Sequence, residues 1–215
     1  MIKENSVYNK DCIELMRCMS NNSVDLTLTD IPFGEINSHK SNGLRNLDKG
    51  IADIATFNTI EFVREVCRVT KKSCYIFAGT EQISDIRRTM VEQKMSTRLL
   101  IIQKSNPSPM NAKYIFLSDI ECCVFGKKPK ATFNEFYKGC VLRYPVTRKA
   151  IHPTQKNQDM LEELIKISSN ENDIIFDPCA GSGSTLLAAN KLNRKYIGCE
   201  LSLEYYNVIL DRLII

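Results

Sequence analysis

The chain has 215 residues, of which 43% are hydrophobic and 25% charged, and its formal net charge is +4. That length fits one ordinary domain with room for a small insertion, and the balance excludes a disordered or fibrous chain. No apolar run approaches the roughly 20 residues of a membrane span, and the leading MIKENSVYNKD lacks the apolar core of a signal peptide, so a cytoplasmic protein with no membrane partner is expected.

Nine cysteines make an odd set with no C-x-x-C pair. This suits reduced thiols and argues against a disulfide framework. With only two histidines, His39 and His152, no metal site is expected.

Short apolar runs alternate with helical patterns along the chain, which predicts an α/β fold around a mostly parallel sheet. Ser6 to Asn9 reads as a strand and Cys12 to Met19 as a helix. Val24 to Thr29 reads as a buried strand running into Asp30. Gly34 to Thr56 is polar, carries Asn42-Gly43 and Lys49-Gly50, and reads as a mobile loop. Asn58 to Val69 has helical i, i+3, i+4 spacing (Ile60, Val63, Val66, Cys67). Ser73 to Ala78 is a predicted strand and Gln82 to Lys94 a helix. Leu99 to Gln103 and Glu121 to Phe125 read as strands paired antiparallel.

Gly126 to Ile151 is basic and irregular, with Phe133, Phe136, Tyr137 and Tyr144 interleaved. Thr154 to Ser168 reads as a helix, Ile174 to Phe176 as a strand, and Ser184 to Leu192 as a helix. Tyr196 to Cys199 reads as a strand and Ser202 to Leu213 as a closing helix. No internal repeat or low-complexity tract interrupts this order.

Charge is unevenly placed. From Arg98 to Lys156 eleven Lys/Arg face three acids, a local charge of +8 that leaves −4 for the remainder. Such a segment suits a phosphate-backbone partner, and equally a solvated lysine-rich surface.

Near the C-terminus, strand Ile174-Ile175-Phe176 runs into Asp177-Pro178-Cys179-Ala180-Gly181-Ser182-Gly183-Ser184-Thr185. Glycines here permit a tight turn and let a ligand approach the backbone closely. The next strand ends at Glu200, placed to accept hydrogen bonds from ribose hydroxyls. A nicotinamide fingerprint would want a third glycine where Leu186 stands, so dehydrogenase chemistry fits poorly.

These segments resemble the DNA amino-methyltransferases that use S-adenosylmethionine, in the permuted order where the catalytic motif precedes the glycine loop. Asp177 to Thr185 resembles the D-P-[FC]-x-G-S-G-[TS]-T loop, and Ile151-His152-Pro153-Thr154-Gln155-Lys156 resembles H-P-T-Q-K. Tyr8-Asn9-Lys10-Asp11-Cys12 is similar to the N-terminal [YN]-x-x-D-C element, with Asn22-Ser23-Val24-Asp25 as its follow-on. Asp30-Ile31-Pro32-Phe33 resembles D-P-P-[YF].

The resemblance implies a Rossmann-like methyltransferase fold with a seven-stranded sheet, mostly parallel with one antiparallel strand. It implies one domain over 1–215, with 126–151 as a small basic target-recognition insertion. S-adenosylmethionine is the implied cofactor. Asp177, Ala180 and Gly181, with Ser182, Gly183 and Ser184, would line its methionine end; Glu200 would bind its ribose. Asp11 and Cys12 would sit by its adenine, and Thr154, Gln155 and Lys156 would meet its carboxylate. Asp30 would lie between cofactor and base. His152 reads as a structural residue, because the chemistry needs no imidazole.

The tetrapeptide suits attack by an exocyclic amine, whose lone pair is delocalised into the base ring. The Asp30 carboxylate can accept one N–H and the Ile31 carbonyl the other, which localises the lone pair toward the sulfonium methyl. Pro32 stiffens the turn and Phe33 offers a stacking face. The gain is positioning and preorganised electrostatics. Ile31 replaces the first proline of D-P-P-[YF], which removes some rigidity; Asn157 stands where the family usually has proline, at a helix N-terminus, where little effect is expected.

Reaching such an amine in duplex DNA requires flipping the nucleotide. Lys104, Lys127, Lys128, Lys130, Arg143, Arg148 and Lys149 are the candidate phosphate contacts, and Arg143 and Arg148 could read guanine instead. Asn106 to Asn111 reads as a loop near the pocket or a plain turn.

The expected activity is transfer of a methyl group to adenine N6, within restriction-modification. Cytosine N4 and a catalytically silent DNA-binding homologue are the alternatives. RNA and protein glutamine are weaker candidate substrates, since glutamine methyltransferases usually place N-P-P-Y after the glycine loop. A homodimer is a further expectation.

Overall fold

Eight strands form one sheet in the computed structural model, in the order β1-β8-β7-β2-β3-β5-β4-β6. The structure describes residues 2–32, 58–107, 109, 113–146 and 156–214. In chain order the elements are β1 (Ser6–Asn9), α1 (Cys12–Arg17), β2 (Val24–Asp30), α2 (Thr59–Val69), β3 (Thr70–Ala78), α3 (Ile83–Glu92) and β4 (Ser96–Lys104). There follow β5 (Ile120–Lys127), β6 (Val141–Tyr144), α4 (Gln158–Ser168), β7 (Ile174–Asp177), α5 (Ser184–Lys191), β8 (Lys195–Glu200) and α6 (Leu203–Leu213).

All strand pairs are parallel except those made by β5, which runs antiparallel to both β3 and β4. The fold is therefore the expected Rossmann-like α/β architecture with one reversed strand. Its strand count is eight, not seven. The additional strand is β6, inside the segment read from sequence as irregular. Val141-Leu142-Arg143-Tyr144 pairs parallel to β4 from Ile101 to Lys104. Four residues alternating exposed and buried carry too little periodicity to stand out from a basic loop.

The sheet is covered on both faces, as its parallel strands require. Along β3, Cys74, Ile76 and Ala78 face one cluster with α1, α2 and α3, including the fully buried Phe62, Val63 and Val66. Tyr75 and Phe77 alternate onto the other face, with Leu26, Leu28 and the α4 and α5 residues Leu161, Leu164, Ala188 and Ala189. Each such side chain contributes roughly 1.5–3 kcal/mol when fully buried. Buried hydroxyls are paired across elements: Thr27 Oγ1 with Thr70 Oγ1 at 2.6 Å, and Tyr75 with Ser168 Oγ at 2.7 Å.

Four of the six helices among the described residues start on a capping side chain. Asp11, Asn58, Asn157 and Ser202 each accept backbone N–H groups of the first turn of α1, α2, α4 and α6. Asn157, the departure from the family proline, thus has a structural use: its Oδ1 accepts Met160 N–H at 3.0 Å and its Nδ2 donates to the Pro145 carbonyl at 3.1 Å. Helix α4 starts at Gln158, later than the expected Thr154. Among the described residues no helix is long and apolar enough to cross a membrane.

Candidate active site

The carboxyl ends of seven strands point to one edge of the sheet, joined there by the start of the reversed strand β5. Strands β7 and β2 are neighbours at the centre. From β7 the chain moves outward to β8, whereas from β2 it moves the opposite way to β3. That reversal opens a crevice above the two strand ends, the usual binding place in doubly wound sheets. Asp30 closes β2 and Asp177 closes β7, so both candidate acids stand at the crevice.

Register sets their depths. Thr27 pairs with Phe176, and Asp177 pairs with Gly198. Asp30 and Glu200 therefore each stand two residues beyond the level of Asp177, about 7 Å along the strands. Asp177 is the buried floor, 3% exposed, while Asp30 and Glu200 are partly exposed at the rim.

Burial pushes the Asp177 carboxyl up to about 7, against the pull of the Thr185 hydroxyl and the Cys179 N–H, and the nearby Asp30 charge adds to the rise. Asp177 Oδ1 accepts the Cys179 N–H at 3.1 Å. The loop then turns with Gly181 at φ 52° and Gly183 at φ 82°, both left-handed. Glu200 Oε2 accepts the Gly181 N–H at 2.8 Å and Oε1 the Ser202 N–H at 2.8 Å, so this acid braces the loop as well as facing the crevice. Burial raises the Glu200 carboxyl, and these N–H groups partly offset that.

Ser184 Oγ, at the first turn of α5, is buried with no hydrogen-bond partner among the described residues. Ala180 is held by its N–H to the Cys199 carbonyl at 2.9 Å. Ser182 offers its carbonyl to Arg212 from α6. On the β1 side, Asp11 Oδ1 caps α1 by accepting Ile13 and Glu14 N–H groups. Cys12 is buried beside Cys179, whose thiol is held well above its ordinary value by that neighbour and by burial.

Just beyond Asp30, Ile31 donates its N–H to the Phe77 carbonyl at 3.1 Å, and its side chain is 1% exposed in the α1–α3 core. A proline could not make that bond. The rigidity expected from a ring is supplied here by a hydrogen bond and by packing. Gln82 adds a clamp: its Nε2 donates to the Pro32 carbonyl at 3.1 Å while its Oε1 accepts the Gly79 N–H at 3.0 Å.

The ammonium of Lys156, expected at the cofactor carboxylate, lies between two carboxylates of the protein. Nζ lies 3.0 Å from Asp30 Oδ2 and 2.9 Å from Glu121 Oε2. Burial alone would lower this group, but the two carboxylates hold it above its ordinary value. A buried ammonium needs such partners.

Lys104, which ends β4 at this edge, has its ammonium turned to Glu121 Oε1 at 3.4 Å. Three other basic residues read as phosphate contacts lie away from the edge. Lys127 closes β5 opposite Ser73, four residues before Phe77, the partner of Asp30. Lys127 and Lys128, and with them Lys130, therefore leave the sheet at its far end, roughly 13 Å or more along the strands. Lys128 Nζ is engaged by Asn22 Oδ1 and the Thr70 carbonyl. A reversed strand carries its C-terminal charges away from the site. Arg143, near the carboxyl end of β6, does stand toward the edge, exposed and donating to Gln103 Oε1 at 2.8 Å. Phe33, Arg148, Lys149, Thr154, Gln155, His39, His152 and the Gly34 to Thr56 loop lie outside the described residues.

Sequence reading missed Gln82, Glu121 and Arg212. Gln82 and Glu121 carry a usable signal, since Gln82 directly precedes α3 after the end of β3 and Glu121 is the second residue of β5, both at the crevice edge. Arg212 carries none. Beyond β4 the segment Tyr114-Ile115-Phe116 is 89%, 68% and 98% exposed, an unusual display of apolar surface at this edge. Among the described residues no group of three His, Cys, Asp or Glu could hold a metal ion.

The N6/N4 model of the DNA methylase family matches residues 127–211. The protein of Escherichia coli (strain K12) named "Putative methylase YubD" is 30% identical over 210 residues, covering 94% of this chain and 87% of that protein. The Type II methyltransferase M2.LlaDCHI of Lactococcus lactis subsp. cremoris is 26% identical over 242 residues, covering 98% of this chain and 90% of that protein. The crystal structure of an M1.HpyAVI–SAM complex matches with a TM-score of 0.75 at 27% identity, over 99% of this chain and 100% of that one.

Proposed function

The chain belongs to the N6/N4 DNA methylase family, and on that premise we propose that it methylates adenine N6 in duplex DNA, with Asp30 as the acceptor of the target amine. S-adenosylmethionine is its cofactor. The donor set fits that group: buried and rim carboxylates for an ammonium and ribose hydroxyls, left-handed glycine backbone, and the unpartnered Ser184 hydroxyl. Asp177, Ala180 and Gly181 through Ser184 hold the methionine end, with Thr154 and Gln155 at its carboxylate. Glu200 holds the ribose, and Asp11 and Cys12 the adenine.

When bound, the cofactor supplies an electrophilic methyl whose bonding pair returns to sulfur as the new N–C bond forms. The protein's part is orientation. Asp30 accepts one amine N–H and the Ile31 carbonyl the other, so the nitrogen lone pair turns toward the methyl. Positive charge then develops on nitrogen beside the Asp30 carboxylate, which attracts it and can take the departing proton. The Gln82 clamp on the Pro32 carbonyl and the Ile31 bond to Phe77 hold this turn still.

The single observation that carries the reading is the Asp30 carboxylate at the end of β2, next to the strand that ends at Asp177 and opens the glycine loop. Aspartate rather than serine at position 30 favours adenine over cytosine. Arg143, the aromatic segment from Tyr114 to Phe116, and Arg148 and Lys149 are the proposed DNA contacts, so within 126–151 the recognition role falls to the part from β6 onward. Acting on cellular DNA, the enzyme works in the cytoplasm.

The test is transfer of labelled methyl to unmethylated duplex DNA, followed by nucleoside mass spectrometry, with Asp30→Ala alongside. N6-methyladenine that disappears in the variant is the expected result. N4-methylcytosine overturns the choice of base, and cofactor binding without transfer to any DNA overturns the reaction.

A further inference from the structure

We propose that Lys156 and Glu121 are positioning residues that act through Asp30, orienting its carboxylate and keeping it charged for the target amine. This rests on the reading of Asp30 given above.

Four strands assemble the arrangement. Asp30 ends β2, and Phe77, its register partner, is the penultimate residue of β3. Glu121 lies at the start of β5, opposite Ile102 of β4, and Lys104 ends β4. Lys156, just before α4, reaches in from the α4 side. Its ammonium touches Asp30 Oδ2 at 3.0 Å and Glu121 Oε2 at 2.9 Å, and stands 5.1 Å from the centre of the Phe77 ring. Lys104 Nζ approaches the other oxygen of Glu121 at 3.4 Å. The result is a row of alternating charge, Asp30, Lys156, Glu121, Lys104, with the Lys156 side chain only 10% exposed.

Each member has a distinct consequence. A charge-assisted bond to one oxygen restrains rotation of the Asp30 carboxylate, so the amine meets it in one orientation. The ammonium also opposes protonation of Asp30, which has Asp177 and the Cys123 thiol as further neighbours. Glu121 divides the charge of Lys156. Without it, the ammonium would sit wholly on Asp30 and cancel the attraction needed as the amine becomes cationic. Burial would push Glu121 up, but Lys156 and Lys104 hold it below its ordinary value, so it stays charged to do this. An ion row this enclosed is a costly way to gain stability alone, because similar apolar residues often serve as well.

The experiment uses Lys156→Met, Lys156→Arg and Glu121→Gln in the full chain. S-adenosylmethionine affinity is measured by calorimetry, and single-turnover methylation of duplex DNA is measured from pH 5.5 to 8.5. In Lys156→Met the rate at pH 7.5 is expected to fall by about 100-fold, as for a misplaced catalytic group, with affinity within about threefold of the parent. Its acid limb should move to higher pH by about one unit. Lys156→Arg should restore most of the rate. Glu121→Gln should lower the neutral rate while moving the acid limb the opposite way.

A tenfold loss of cofactor affinity with an unmoved limb would instead assign Lys156 to the methionine carboxylate. Variants that lose only thermal stability, with the parent's pH profile, overturn the proposal in favour of a structural role. If the parent fails to methylate DNA, that failure belongs to the proposed function. The Asp30 carboxyl titration, followed by carbon NMR and assigned with Asp30→Asn, then decides: an unchanged midpoint in Lys156→Met overturns the positioning role.

Discussion

Asp177→Asn should make the unliganded protein more stable above neutral pH while removing its hold on the cofactor. The Asp177 carboxyl is 3% exposed, and burial raises it from an ordinary value of 3.8 to about 7. Between those values the unfolded chain has released the proton and the folded protein keeps it. Stability therefore falls as pH rises through this window and levels off above about 7. From pH 5.5 to the folded value is about 1.5 units, worth about 2 kcal/mol at 1.36 kcal/mol per unit. Asparagine has nearly the same shape and no charge, so it escapes this loss. The gap between variant and parent should thus widen by about 2 kcal/mol from pH 5.5 to pH 8, or about 4–8 °C in melting temperature. Urea denaturation of both proteins without ligand at the two pH values measures it. Saturating S-adenosylmethionine should stabilise the parent at pH 8 and leave the variant unchanged. A stability gap that does not change with pH, or equal stabilisation of both by the cofactor, refutes the reasoning.

The other expectations rest on local geometry. Cofactor affinity in the parent should fall about tenfold per unit below pH 7, because an ammonium is held by the ionised form of Asp177; titration calorimetry at pH 6 and 7.5 checks this. Gly183→Ala forces a side chain onto φ 82° and sets a Cβ about 3.1 Å from Ile209, so it should cost about 1–2 kcal/mol and weaken cofactor binding; thermal melts and calorimetry read both. Ile31→Pro, which recreates the usual family sequence, removes the bond to Phe77 and a buried side chain, at a cost of about 2 kcal/mol or more. It should not raise the methylation rate, and a faster variant would show that Ile31 is a defect and no substitute for the ring. Asn157→Ala should lose about 1 kcal/mol in urea denaturation with methylation retained, since it removes the α4 cap and an exposed bond to the Pro145 carbonyl.

Much of the candidate site could be read from the chain because its parts are local. The loop from Asp177 to Thr185 contains its own strand end, turn glycines and helix start within nine residues. Asp30 and Glu200 are legible for the same reason, as acids at the ends of apolar runs. Ile31 read as a weakness, because the bond that replaces the proline ring comes from Phe77, 46 positions away. The seven strands recognised from sequence have apolar patterns of their own, whereas β6 draws its stability from pairing along β4.

By itself, the sequence determined every strand but β6, the order of the motifs, the family and the cofactor, since each is encoded in runs of adjacent residues with local conformational consequences. Tertiary structure alone decided which charges meet. The reversal of β5 sends Lys127 and Lys128 to the far end of the sheet and brings Glu121 to the catalytic end. Burial then draws Lys156 onto Asp30 and Glu121, because an enclosed ammonium must find carboxylates wherever the folded strands have put them.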